Sequence, residues 1–169
     1  RLSNSLWVSI GLISIGLATR ELWGIGYGRQ AGLLFIASIG LIMNIHSLIP
    51  GIATLSGLAL CFYSFTLYYR RPFRSSIIMG SGLGISFLSG GFIPLISVVI
   101  TSIILYIFRF WRNNRYLTFI GLSFGIGIVI ISPWMIAMNY VHPQLLNNWL
   151  GQQIFTSNSS FLYILSGLS

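Results

Sequence analysis

The sequence contains no lysine and no aspartate, and Glu21 is its one acidic side chain. Charged residues make up 6% of the 169, against about 25% in soluble domains. A water-soluble globule of this size would have almost nothing polar to cover its surface. A disordered chain and a coiled coil are excluded as well, because both need long polar or charged stretches. The single cysteine, Cys61, cannot form an internal disulfide and says nothing about redox compartment. The shortage of acids excludes a paired-carboxylate site built from this chain alone. It also leaves no intramembrane carboxylate for proton or sodium coupling. P-loop, CxxC and HExxH patterns are absent, as is any pair of histidines at ligand spacing. Gly24-Ile25-Gly26-Tyr27-Gly28 lacks the preceding strand and the spacing of a dinucleotide-binding loop.

What the chain has is apolar length. Hydrophobic residues are 55% of the total, and the mean hydropathy is +0.87. They fall into six continuous runs: Leu2 to Ala18, Ala31 to Ile45, Ile52 to Tyr69, Ser75 to Ser89, Phe92 to Phe108 and Tyr116 to Tyr140. A bilayer core about 30 Å thick takes about 20 helical residues. Barrel strands would alternate over about ten residues, which these runs do not. The expected fold class is therefore all-α: a polytopic helical membrane protein with about six transmembrane helices. Residues 1–140 form the transmembrane domain, and 141–169 an extracytoplasmic segment leading into a further helix. The chain opens on Arg1 rather than Met, and the apolar run from Phe161 stops at Ser169, so both ends read as cuts through a longer chain. The fourth and fifth runs are short for full crossings, and a re-entrant hairpin is the alternative for that pair.

All basic charge comes from nine arginines, giving a net charge of +8. In a soluble protein that balance would suggest a nucleic-acid partner. Here the arginines sit between apolar runs, so topology accounts for them and no nucleic acid is expected. The connectors Thr19 to Arg29, Arg70 to Arg74 and Arg109 to Arg115 hold eight of the nine. If every run crosses once, all three lie on one side, which the positive-inside rule makes cytoplasmic. Arg1, His46, Pro50, Gly90, Gly91, His142 and the tail from Val141 then fall outside. Two pairs at GxxxG spacing, Gly80/Gly84 and Gly121/Gly125, are expected to let helices pack closely.

Several polar residues have a plain reading beside a functional one. Glu21 adjoins Arg20 and is expected to be a solvated, locally paired surface residue. His46, near Asn44 and Ser47, is an interfacial polar residue or a hydrogen-bond donor to a phosphate or sugar. His142-Pro143 stops a helix, since the residue before proline is pushed out of helical geometry. Trp134 and Tyr140 are interfacial anchors. Asn158-Ser159-Ser160 fits a glycosylation sequon, a common accident. The basic-aromatic stretches Arg70-Arg71-Pro72-Phe73-Arg74 and Arg109-Phe110-Trp111-Arg112, with Arg115, suit anionic lipid headgroups, or a lipid pyrophosphate on that side.

Four passages in order resemble one family. Arg1-Leu2-Ser3-Asn4-Ser5-Leu6 is similar to an R-L-P-S-x-L helix start. Gly28-Arg29-Gln30-Ala31-Gly32-Leu33-Leu34 is similar to G-R-R-A-G-L-L. The stretch from Ser81 to Leu95 resembles G-L-A-L-G-L-A-F-L-T-K-G-P-x-x-L. Ser132-Pro133-Trp134, then His142-Pro143 and Trp149, resembles a P-W-x…H-P…W passage. The patterns they resemble are those of bacterial family-39-like membrane glycosyltransferases, relatives of the protein mannosyltransferases and of the aminoarabinose transferase of lipid A. The resemblance implies a larger GT-C-type membrane domain in the bacterial cytoplasmic membrane. It also implies sugar transfer from a polyprenyl-phosphate donor to a glycan, lipid or protein acceptor at the outer face. An acidic residue of an external loop, which would precede Arg1, acts as base in such enzymes. A divalent metal or basic groups hold the donor phosphate. Two positions depart from the pattern: Gly51 stands where an aspartate is expected, and Gly90 where a lysine is. The outward candidates for phosphate or sugar contact are Arg1, His46 and His142, with Asn44, Gln144 and Gln152 as further polar groups; Arg1 also fits a helix-end anchor. The rival expectations are a non-catalytic accessory subunit of a membrane complex and, behind it, a transporter.

Overall fold

The computed structural model describes residues 2–24, 26–42, 51–108, 114–141 and 144. Among them there are six helices and no strand: α1 (Leu2–Trp23), α2 (Tyr27–Ile42), α3 (Gly51–Leu67), α4 (Pro72–Gly90), α5 (Phe92–Ile107) and α6 (Asn114–Val141). Each coincides with one apolar run. Two of them, over Ser5–Trp23 and Asn114–Val141, are long and apolar enough to cross a membrane. Gly51–Leu67 and Phe92–Ile107 are shorter apolar helices.

Helix ends differ from the apolar runs because charge does not stop a helix. α1 continues through Arg20 and Glu21 to Trp23, where Arg20 in the last turn suits the negative end of the helix dipole. Gly24 and Gly26, at φ 96° and 119°, then turn the chain into α2. α4 begins at Pro72, not Ser75. Proline is at home in a first turn, where its missing N–H has no partner to lose. At 19 residues, α4 is about 28 Å long. The α4–α5 corner is a single residue, Gly91, at φ 70° and ψ −141°, a conformation open essentially to glycine alone.

Contacts fix the direction of each helix. Gly16 of α1 meets Gly28 of α2, and Gly11 meets Phe35, so these two run antiparallel. Gly11 also meets Ser56 of α3, and Glu21 pairs with Arg70 just past α3's end, so α1 and α3 run parallel. The Ser75 hydroxyl donates to the Ser64 carbonyl, and Thr54 bonds Ser89 at 3.0 Å, making α3 and α4 antiparallel. Gly80 lies on Ser123 and Ile126, and Gly84 on Ile130, so α4 and α6 run parallel. α5 returns alongside: Phe87 and Phe92 pack edge to face at 5.3 Å, and the Tyr116 hydroxyl of α6 donates to the Ser102 carbonyl at 3.0 Å.

α4 is the central helix, between α3 and α6. One face carries Gly82, which meets the Gly57 carbonyl and the Cys61 sulfur; the other carries Gly80 and Gly84 against α6. The first expected glycine pair therefore packs helix on helix. The second does not: a side chain at Gly121 or Gly125 would meet nothing within 4 Å.

The core mixes small hydroxyls with apolar side chains such as Phe65, Met79, Leu83, Val98 and Phe119. Every buried polar side chain among the described residues is a serine: Ser14, Ser56, Ser64, Ser75, Ser76, Ser86, Ser102 and Ser123. Their hydroxyls donate to backbone carbonyls, as Ser64 does to Cys61 and Ser123 to Phe119 at 2.7 Å. No buried side-chain N or O among the described residues lacks a partner. Many further large apolar side chains point outward, among them Leu34 (70% exposed), Ile107 (74%) and Val129 (68%). Pro133 inside α6 cannot donate to the Val129 carbonyl; the Ser132 hydroxyl does so at 3.1 Å. Neighbouring hydroxyls commonly repair proline breaks this way in helices that lie in lipid.

Candidate functional site

Arg1, His46 and His142, the residues with the strongest sequence case for phosphate or sugar contact, lie outside the described residues, as do Asn44 and Gln152. So do Arg109, Phe110, Trp111 and Arg112 of the last basic connector, and Asn158 of the sequon. Gln144 is exposed. The described residues bring together a different set, at the end of the bundle where the arginine connectors meet.

Four arginines converge there. Arg20 comes from the last turn of α1, Arg70 and Arg71 from the α3–α4 turn, and Arg74 from the first turn of α4. With Glu21 and Tyr63 they line a cleft of about 350 Å³, floored by Leu67 and Ile78. The turn is held by its backbone: the amides of Arg70 and Arg71 both donate to the Leu67 carbonyl at 3.0 Å, and the Ser75 amide donates to Arg71 at 3.0 Å. The buried Ser75–Ser64 bond ties it to α3. α4 begins without a side-chain cap and without an acid in its first turn, so its dipole adds positive potential on the same side.

Glu21 does not pair with its neighbour Arg20. Its Oε2 lies 2.9 Å from Nη1 of Arg70, and its side chain is 21% exposed where that of Arg70 is 72% exposed. The sequence neighbour loses because adjacent residues on a helix point about 100° apart, whereas α1 and the α3–α4 turn are brought face to face. Since Glu21 is the chain's one acid, no second carboxylate side chain exists to pair with Arg20, Arg71 or Arg74. The cleft thus carries four positive charges against one negative. This is an arrangement for binding an anion, not for proton transfer.

A shallower groove shares Arg20. It runs between α1 and α2 over Ile13, Gly16 and Leu17 and ends at Arg20 and Arg29. Beside the cleft lies an aromatic cluster: Tyr68 and Tyr116 at 5.6 Å, Tyr106 stacked on Tyr116 at 6.2 Å, and Phe119 at 5.0 Å from Tyr68. It locks the ends of α3, α5 and α6 together.

The opposite end is chemically sparse among the described residues. Gly90, where the resemblance expects a lysine, is packed on Thr54: a Cβ there would lie 2.7 Å from both its Cγ2 and its Oγ1. A side chain at this position would require Thr54 and Pro94 to shift. Gly51, where an aspartate is expected, is the first residue of α3. Among the described residues there is no donor set for the divalent metal of the resemblance. The one carboxylate is engaged with Arg70, Cys61 is buried, and no three His, Cys, Asp or Glu side chains cluster among the described residues.

Compared with known proteins, the chain matches no protein-family model, and neither a curated protein nor a solved structure is significantly similar to it.

Proposed function

We propose that the six helices cross the cytoplasmic membrane of a bacterium, with the arginine end in the cytoplasm. We further propose that the chain serves in a membrane glycosyltransferase, moving a sugar from a polyprenyl-phosphate donor to a glycan, lipid or protein acceptor at the outer face. The observation that carries the membrane placement is the apolar exterior: large leucine, isoleucine and valine side chains cover the outside of a bundle whose helices meet through serines and glycines as well as apolar side chains. Water would penalise such a surface, whereas lipid favours it, because close packing of small residues drives helix association there. The alternation of helix directions, which collects Arg20, Glu21, Arg70, Arg71 and Arg74 at one end, supports the same placement.

Sugar transfer rests on the four sequence passages and on the outward placement that the alternating arginine connectors imply for Arg1, His46 and His142. A donor phosphate at the outer interface stays hydrated, and these cationic or hydrogen-bonding groups suit it. The base is another matter. Glu21 sits at the arginine end in an ion pair, so it does not serve the outer face. The base then comes from outside these residues. The same observation favours a second reading, a non-catalytic subunit of a membrane complex.

A sugar-transfer assay on the complete protein, with and without a prenyl-phosphate sugar, tests the proposal. Donor-dependent transfer is expected, and His46→Ala or His142→Ala should lower kcat/KM by about tenfold, the loss of one hydrogen bond to a charged group. Absence of transfer with every donor tried, together with unchanged cell-surface glycans on deletion, would overturn it. Stoichiometric co-purification with a partner would then point to the second reading.

A further inference from the structure

The arginine cleft lies at the end of the bundle away from the proposed sugar chemistry, and that chemistry makes no use of it. Its charge is unbalanced by construction: Glu21 is engaged by Arg70, and Arg20, Arg71 and Arg74 face the same space with no carboxylate of their own. Guanidinium groups in a shared concavity match the oxygens of a phosphate. The apolar groove over Ile13, Gly16 and Leu17 ends at Arg20 and Arg29, so Arg20 stands where a charged cleft and a hydrocarbon-lined groove join.

We infer that this junction is a binding site for an anionic phospholipid of the cytoplasmic leaflet. Arg20, Arg71 and Arg74 hold the phosphate, and one acyl chain lies along the groove between α1 and α2. Glu21 sets the affinity: its ion pair orders Arg70 at the rim, and its charge lowers the positive potential of the cleft. The inference rests on the membrane placement above and is independent of sugar transfer.

The test is native mass spectrometry of the full chain released from detergent, counting adducts of phosphatidylglycerol against phosphatidylcholine with the same acyl chains. Selective retention of phosphatidylglycerol is expected. Arg71→Gln with Arg74→Gln should weaken that retention by about tenfold or more, whereas Arg115→Gln, outside the cleft, should leave it unchanged. Glu21→Gln should tighten it by about threefold to tenfold, the effect of removing one negative charge at close range near a protein surface. That gain is one a misfolded variant cannot produce. Equal retention of the two lipids, or loss on Arg115→Gln equal to loss on the double variant, overturns the inference while leaving the membrane placement intact. Displacement of phosphatidylglycerol by millimolar inorganic phosphate also overturns it, identifying the site as one for a soluble anion. A chain that stays in water without detergent overturns both the site and the membrane placement.

Discussion

Gly57→Ala and Gly82→Ala should each destabilise the bundle by about 2 to 3 kcal/mol, at the upper end of the range for overpacking. A Cβ at Gly57 would lie 2.8 Å from the Gly82 carbonyl oxygen and 2.9 Å from the backbone nitrogen of Ser86. A Cβ at Gly82 would lie 2.7 Å from the Gly57 carbonyl oxygen and 2.9 Å from the Cys61 sulfur. The obstacles are largely backbone, so no side-chain rotation relieves them and α3 must move away from α4. That separation also strains the Ser75–Ser64 and Thr54–Ser89 bonds, which span the same interface above and below the glycines. Gly121→Ala and Gly125→Ala provide the control: the added methyl meets nothing within 4 Å, so each should leave stability unchanged or raise it by up to about 1 kcal/mol, the helix-propensity gain of alanine over glycine. Detergent-denaturant titration followed by circular dichroism separates the two pairs. Equal effects at all four positions would contradict the packing described here.

Tyr116→Ala should cost about 4 kcal/mol, and Tyr116→Phe only about 1 kcal/mol. Tyr116 is 1% exposed. Its ring touches Tyr68, Tyr106 and Phe119, and its hydroxyl donates to Ser102 at 3.0 Å. Removing the ring leaves a cavity where three helices meet, and dispersion contacts are lost whether the outside is water or lipid. Removing the hydroxyl alone leaves the packing and frees one carbonyl. The ratio of the two losses, read in the same titration, tells whether packing or the hydrogen bond holds α5 and α6 together. Near-equal losses would assign the role to the hydrogen bond.

Among the described residues, the number and order of the helices were legible because each coincides with one apolar run. Their ends were not, because hydropathy falls at the first charge while the backbone goes on donating to itself. Arg20 and Glu21 extend α1, and Pro72 to Arg74 begin α4, although both stretches read as connector. The spacing of Gly80/Gly84 and Gly121/Gly125 is identical, and only the neighbours of α4 and α6 decide which pair is buried. The cleft was half legible. Arginine-bearing connectors on alternate turns predict one basic end, but not that Glu21 reaches Arg70 rather than Arg20, nor that Arg20 and Arg74 face one space. The crowding of Gly90 by Thr54 depends on the α3–α4 register, which no local pattern encodes. Arg1, His46 and His142 lie outside the described residues, so their case remains that of the sequence.

The central claim is the placement of the arginine end, and site-directed labelling tests it most directly. In a Cys61→Ser background, Trp23→Cys, Phe73→Cys and Val141→Cys each put one thiol at an exposed position, the first two at the arginine end and the third at the end of α6. Intact cells and inverted vesicles are each treated with a membrane-impermeant maleimide. The account predicts labelling of positions 23 and 73 only in inverted vesicles, and of position 141 only in intact cells. Labelling of all three from the same side would contradict a bundle that spans the membrane with its arginines in the cytoplasm.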